Sequence, residues 1–357
     1  MLKPHSGYLS FGADLPFAAV DHWCPNAQPA HQFGDRLAAE RVIGLDALRD
    51  EGLTGEDVNV IIVDHGLDKS AIEGELKGTY GGGWTVYPVG QPPIDPGTLK
   101  VVRGVSQNDH GMMIARNILA VAPKVKLWDL PIVPLRITNL PKYLSDAQLA
   151  FDDVLADKRL ASGRWVIVNA WAPFDRSTEV PRGSYSNNPS HPFNLLMSDF
   201  ADRKVDVVFA AGNCGQFRPD SRCGKYDIGP GKSIFGANAH PRVLTVGAIT
   251  THPLWIGTAS QGRGFENLAT EKPDLVAPSM FSERADRHTR NGGTSAACAI
   301  AAGVVAALRQ KWAPATVSPD DLKNILRKTA KRPGKPRWDE RIGCGVINAA
   351  AAIAAMP

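Results

Sequence analysis

The run Asn291-Gly-Gly-Thr-Ser-Ala-Ala-Cys-Ala-Ile-Ala-Ala-Gly303 places a serine at the start of a small-residue helix, directly after a glycine turn. A hydroxyl there sits at the positive end of the helix, beside backbone N–H groups with no intrahelical partner. Those donors are what an oxyanion needs, so Ser295 is a candidate nucleophile. The plainer use of the segment is a helix cap by Thr294 or Ser295. By itself the segment leaves both readings open.

Acyl transfer by a serine needs a base for the hydroxyl proton, a group that orients the base, and donors for the oxyanion. His110, in Asn108-Asp109-His110-Gly111, opens a helical stretch, and imidazole titrates near ~6.5. Asp64 follows the apolar run Val58–Val63 and can orient His110 from a strand end. Asn213, after Ala210-Ala-Gly212, can donate its amide to the oxyanion beside the N–H of Ser295. Plainer uses exist for each: Asp64 and Asn213 as turn formers, His110 as a polar residue at a helix start. Asp109 is the weaker orienter, because consecutive side chains on a helix diverge. His65 is the rival base, expected to point away if Asp64 faces the rim. Any one plain reading is reasonable; all four together are much less so.

These residues need elements to position them. Val58–Val63 reads as a buried strand, His110–Leu119 as a helix, Val125–Leu130 as a strand and Ser145–Ala156 as a helix capped by Ser145, with Gln148 three residues on. Strand Trp165–Trp171, helix Asn194–Asp202 and strand Val205–Ala211 follow, then short strands at Val243–Ala248 and Leu275–Ala277. Ser295–Trp312 is helical, and Ser318-Pro319 starts a last helix with a cap and an N1 proline. Strands alternating with helices give an α/β fold with a parallel sheet covered on both faces. Sites in such sheets form outside the carboxyl ends of the strands, where Asp64 and Asn213 both sit. Gly81–Gly104 and Cys214–Pro241 read as surface excursions, and residues 1 to about 33 as an extension outside the main domain.

Composition narrows the class. The 357 residues are 43% hydrophobic and 21% charged, which suits a globular chain with a sizeable core. The net charge of +4 gives no reason to invoke nucleic acid, and Lys328–Arg337 reads as a solvated turn region. No apolar run is long enough for a membrane span. Met1–Phe11 does not look like a secretory signal, so a cytoplasmic chain is expected. Five cysteines do not make a disulfide framework. Cys298 reads as a small core residue. Cys214 and Cys223 bracket one loop, either as two thiols or as a local disulfide, which argues for an oxidising compartment.

Taken together, the four motif regions resemble those of the subtilisin-like serine proteases, the subtilases, in the family's order of Asp, His, Asn, Ser. The Asp region is Gly52-Leu-Thr-Gly55 with Val60-Ile-Ile-Val-Asp64-His-Gly-Leu-Asp68. The His region is His110-Gly111 with Ala115, then Val121-Ala-Pro123 and Val125-Lys-Leu127. Ala210-Ala-Gly-Asn213 and Gly293-Thr-Ser295-Ala-Ala297, preceded by Lys272-Pro-Asp-Leu-Val-Ala-Pro278, supply the others. Val243-Leu-Thr-Val-Gly247-Ala and Gly343-Cys-Gly-Val-Ile-Asn348-Ala also fit. The likeness covers roughly residues 40 to 356, which divides the chain into an extension, 1–40, that is a candidate regulatory segment, and a catalytic domain, 41–357.

The resemblance implies a three-layer fold with a mostly parallel sheet flanked by helices. It implies a serine endopeptidase acting on polypeptides through an acyl-enzyme, with Asp64, His110 and Ser295 as the triad and Asn213 at the oxyanion. Val168, Asn169, Ala170, Trp171 and Ala172, with Ala210, Ala211 and Gly212, are implied to bind substrate. No cofactor is needed for the chemistry; structural calcium is common in the family, without ligands assigned here. Departures are Asp64-His65-Gly66 where Thr or Ser usually follows Asp, Met112 and Met113 after His110-Gly111, Ser279 after Ala-Pro, and Ala170-Trp171-Ala172 in place of Ser-x-Gly. A methyl at Ala172 narrows the cleft. Leu15-Pro16-Phe17 in the extension is a candidate cleft blocker, as in some intracellular subtilases. Alternatives are a ligase or macrocyclase on the same acyl-enzyme, or a non-catalytic peptide-binding module. An α/β-hydrolase esterase is disfavoured by the lack of a Gly-x-Ser-x-Gly elbow.

Overall fold

The computed structural model describes residues 17–19, 33–84, 103–106, 109–133, 140–177, 179–262, 267–285, 289–332, 334 and 337–357. A short strand, β1 (Phe17–Ala19), precedes helices α1 (Arg36–Ile43) and α2 (Leu45–Asp50). The chain then alternates through β2 (Val58–Val63), α3 (Lys69–Gly74), β3 (Thr79–Gly83), α4 (Asp109–Val121), β4 (Lys126–Leu130) and α5 (Leu140–Ala156). It continues through β5 (Arg164–Asn169), β6 (Trp171–Pro173), α6 (Pro192–Asp202), β7 (Val205–Ala210), β8 (Leu244–Ile249) and β9 (Leu275–Pro278). A small hairpin, β10 (Phe281–Ser282) and β11 (Arg290–Asn291), leads into α7 (Gly293–Arg309), then α8 (Pro319–Thr329) and α9 (Ala349–Ala354).

Seven strands form one parallel sheet in the order β3-β4-β2-β5-β7-β8-β9. Strands such as Val-Asn-Val-Ile-Ile-Val and Leu-Thr-Val-Gly-Ala-Ile are almost wholly buried, as strands covered on both faces must be. Helices α4 and α7 pack together, and α5 packs with α6, so helices flank the sheet. The connection order reverses around β2: β4 lies on one side of it and β5 on the other. Crevices open at such switch points, beyond the carboxyl ends of the strands. Asp64 follows the last residue of β2, so the topology delivers it to that crevice.

Helix α7 explains the small-residue run. All of its residues are buried, so it is a central helix and not an amphipathic surface one. Its Ala and Gly residues let neighbours approach: a Cβ on Gly303 would lie 2.8 Å from Val121 Cβ of α4. Arg309, buried near the C-terminal end of α7, donates to Asp206 at 2.5 and 2.7 Å and to the carbonyls of Trp312 and Val317. A cation at that end complements the helix dipole.

Several boundaries differ from the sequence reading. Helix α5 begins at Leu140, so Ser145 lies inside it and caps nothing; Pro141 is tolerated because it falls in the first turn. The segment from Gly81 starts as sheet, since β3 extends to Gly83, while 85–102 lies outside the described residues. The expected strand Trp165–Trp171 breaks at Ala170 into β5 and β6. Of the expected extension the structure describes residues 17–19 and 33–40: β1 pairs antiparallel with β6, and residue 40 falls inside α1, whose Ala39 and Ile43 are in the core.

Candidate active site

The site begins with the turn after β2. Val63 pairs with Asn169, and Asn169 pairs with Phe209. The ends of β2, β5 and β7 are therefore level, and Asp64, Ala170 and the Ala210-Ala-Gly-Asn213 segment share one rim. His110 arrives from the first turn of α4. That helix start can approach because residue 111 is glycine: a Cβ there would lie 2.5 Å from the Gly66 carbonyl oxygen.

His110 Nδ1 lies 2.8 Å from Asp64 Oδ1 and 2.9 Å from Oδ2, with both side chains about 1% exposed. A carboxylate only accepts, so Nδ1 carries the hydrogen and Nε2 is the basic nitrogen. The Asp64 carboxylate also accepts the His65 N–H at 2.8 Å. Burial by itself raises its pKa, but the charge and hydrogen bond of His110, with His65 beside it, outweigh that and hold it below the usual value. Asp109 is not the partner of the His110 ring.

His65 does not point away, contrary to the alternation argument. Its Nδ1 lies 2.8 Å from the Val133 carbonyl, and its ring stands edge-on to His110 at 5.9 Å between centroids. Met112 and Met113 turn from the rim: Met112 Sδ accepts the Asp68 N–H at 3.3 Å, and Met113 is in the core.

Ser295 lies in the first turn of α7, behind Gly292 as N-cap and Gly293 at φ 64°, a conformation that favours glycine. Its hydroxyl donates to the Ala170 carbonyl at 3.2 Å, a group freed by the break between β5 and β6. Thr294, read from sequence only as a possible cap, ties the site together. Its N–H and hydroxyl both donate to Asn213 Oδ1 at 3.2 Å, and its oxygen accepts the Gly212 N–H at 3.1 Å. These two donors fix the oxygen end of the Asn213 amide and turn the N–H₂ end the other way. Ser279 has a role too: its hydroxyl donates to the Gly293 carbonyl at 2.7 Å, bracing the turn before Ser295. Asn117 Nδ2 of α4 donates to Asn291 Oδ1 at 2.8 Å, joining the helix of His110 to the approach to α7. Single Thr, Ser and Asn residues whose partners are remote in sequence carry no periodic signal, so these braces were not legible beforehand.

Among the expected substrate-binding residues, Ala170 and Ala172 lie on the rim segment next to Ser295, with Ala210 at the end of the neighbouring β7 and Ala211 and Gly212 just beyond it. Trp171 is fully buried against Tyr143, Phe193 and Phe209, and Val168 is also in the core. The backbone of Trp171 pairs with Ala19; Ala172 pairs with Ala18 and Pro173 with Phe17. Asn169 is buried below the rim, with its carbonyl 3.9 Å from Cys298 Sγ. Burial raises the Cys298 thiol pKa strongly, with Asp64 adding to the effect, so it stays protonated as a core residue. Cys214 and Cys223 form a disulfide in the loop that leaves Asn213, and the Asn213 carbonyl accepts the Asp220 N–H at 2.9 Å. Among the described residues no group of three or more His, Cys, Asp or Glu gathers to hold a metal.

The profile of the subtilase family, Peptidase S8, matches residues 55–345. The chain belongs to the subtilase family. It is a protease of the S8 type, and its substrate is a polypeptide. No curated protein matches it. Among solved structures it is similar to MycP1 from the ESX-1 type VII secretion system, at 19% identity and a TM-score of 0.61, over 96% of this chain and 90% of that one. It is similar to the prenylagaramide maturation protease PagA, at 17% identity and a TM-score of 0.59, over 88% and 99%. It is also similar to fervidolysin from Fervidobacterium pennivorans, a keratinolytic enzyme, at 17% identity and a TM-score of 0.59, over 97% and 52%. These likenesses bear out the subtilisin-like fold.

Proposed function

We propose that this subtilase is a serine endopeptidase working through an acyl-enzyme. The observation that carries this is the buried Asp64–His110 hydrogen-bonded pair on the rim that also holds Ser295 at a helix start. Ser295 Oγ turns from the Ala170 carbonyl, gives its proton to His110 Nε2 and bonds to the substrate carbonyl carbon. The oxyanion is met by the Asn213 amide and the Ser295 N–H. Collapse breaks the C–N bond, and His110 returns the proton to the leaving amine. Water then repeats the sequence on the ester, with His110 as base. Asp64 stays ionised throughout, holding the imidazole tautomer and stabilising the imidazolium. No step needs a cofactor.

The β1–β6 pairing supports the way substrate binds. An extended chain adds antiparallel to Trp171–Pro173, whose backbone accepts it without reading side chains. The same pairing supports a regulatory role for the 1–40 extension, which holds the strand that substrate needs. The Cys214–Cys223 bridge favours an oxidising compartment over the cytoplasm expected from the N-terminal residues.

A fluorophosphonate probe tests the assignment. It should label the wild-type chain at Ser295 and not the Ser295→Ala variant, which should also lose peptide hydrolysis while remaining folded. Labelling at another residue, or retained hydrolysis, overturns it. Product masses separate hydrolysis from transfer to an amine.

A further inference from the structure

Asp129 sits in β4, a strand that contributes nothing else polar to the interior. Its residue is 0% exposed, and a buried carboxyl is costly unless it answers a structural need. The need is visible in its partners. Oδ2 accepts the Leu67 N–H at 3.2 Å and the Gly104 N–H at 2.9 Å. Leu67 lies three residues after Asp64. Gly104 lies six residues before His110. One carboxyl oxygen thus receives an N–H from each of the two segments that carry the ion pair.

The two segments are laced together around it. Lys69 N–H donates to the Gly104 carbonyl at 3.2 Å, and Asp68 N–H to Met112 Sδ. A Cβ on Gly66 would lie 2.5 Å from the Val105 carbonyl oxygen. Neither Leu67 nor Gly104 lies in a helix or strand, so no regular ladder fixes the two segments. The sheet anchors both through Asp129: β4 is registered on β2, with Asp129 opposite Ile62. Burial pushes the Asp129 carboxyl up to about 7, against the pull of the Gly104 and Leu67 N–H groups and with Asp64 adding to the rise.

Resting on the endopeptidase reading above, we propose that Asp129 is a positioning residue for catalysis, a brace from the central sheet that sets the Asp64 turn against the approach to His110. It touches no substrate. It acts through the distance between Asp64 and His110, so its loss is felt in proton transfer and not in substrate affinity.

The test compares Asp129→Ala, which removes the acceptor, with Asp129→Asn, which keeps one. In Asp129→Ala, kcat and the rate of Ser295 phosphonylation by a fluorophosphonate should each fall about tenfold or more, with KM moving less than about threefold. Asp129→Asn should hold both rates within about threefold of wild type. Unchanged rates in Asp129→Ala, a loss carried by KM, or an Asn variant as slow as the Ala variant would overturn the proposal. If Asp129→Ala does not fold, amide hydrogen exchange in the Ser295→Ala chain decides. The Leu67 and Gly104 amides should be strongly protected there and in its Asp129→Asn derivative; rapid exchange at either amide overturns the brace. A wild-type chain that does not react with the probe sinks the endopeptidase reading, while the exchange result still judges the brace.

Discussion

The Ser295 hydroxyl donates to the carbonyl of Ala170, the residue that separates β5 from β6. The candidate nucleophile is therefore held against the backbone of the segment that leads into β6. On the proposed reading, a chain that pairs with β6 runs past Ser295, which couples binding by backbone to attack on backbone.

Asp64→Asn should show what the ion pair contributes. An amide at this position can present N–H to His110 Nδ1 and so favour the wrong tautomer. A fall in kcat of about 10³–10⁴ is expected, with KM nearly unchanged. Steady-state kinetics on a chromogenic peptide checks this; a loss below about tenfold sinks the orienting role.

Asn213→Ala removes the amide pinned by Thr294. The expected fall in kcat is about 10²–10³, as for loss of one oxyanion donor. Thr294→Val should lose a smaller part of the same effect, because Asn213 Oδ1 then keeps the Thr294 N–H but not the hydroxyl. A Thr294→Val variant slower than Asn213→Ala would mean that Thr294 acts by another route.

The Cys214–Cys223 bridge closes a short loop, nine residues in separation, that begins directly after Asn213. Serine at both positions should lower stability by about 2–3 kcal/mol on the chain-entropy account. It should also lower kcat more than it raises KM, since the loop fixes the Asn213 carbonyl through Asp220 N–H. Denaturant melts and kinetics of the double variant measure both, and an unchanged kcat with lowered stability would confine the bridge to a structural role.

The parts of this site that were legible in the sequence follow from simple rules. Asp64 and Asn213 lie beyond apolar β-branched runs, and Ser295 follows glycines before a small-residue helix, so strand ends and a helix start could be placed without coordinates. His65 was misplaced because alternation governs residues inside a strand, and β2 ends at Val63. Trp171 looked like pocket lining on resemblance, yet its size makes it a core residue packed among aromatics. Strand β1 is only Phe-Ala-Ala, too short for a period to show, and its pairing depends on an edge more than 150 residues away in the chain. Nothing in the sequence singles out Asp129, because its two N–H partners are remote in sequence.

Deleting residues 1–32 should free the β6 edge. Phe33 is kept, since its N–H donates to the Met280 carbonyl at 2.7 Å and its carbonyl accepts the Thr251 hydroxyl. An intramolecular competitor acts at an effective concentration of order mM. Its removal should lower KM for an extended peptide about fivefold or more, with kcat little changed. An unchanged KM in a folded truncation removes the regulatory reading of the extension.

The pH dependence of stability separates the two buried carboxyls by sign. Asp64 has a lowered folded pKa, so its contribution is present above the unfolded value near ~3.9 and is lost as pH falls through the lower folded value. Asp129 is the reverse: its folded pKa is raised to about 7. The fold binds its proton more tightly than the unfolded chain, so this contribution is full below ~3.9 and is lost as pH rises toward 7. His191 and His240, lowered to about 4 and about 3 mainly by burial, tilt the curve the other way in part of that window, because each is kept neutral in the fold. The slope of one chain is therefore a sum. The difference between the Ser295→Ala chain and its Asp129→Asn derivative cancels the histidines and Asp64 to first order. That difference should shift in favour of Asp129→Asn between pH 4 and pH 7, by on the order of 2–4 kcal/mol, and level off above. Urea melts at half-unit pH steps measure it, and a difference that is flat across the window would show that Asp129 is ionised in the fold at ordinary acid pH.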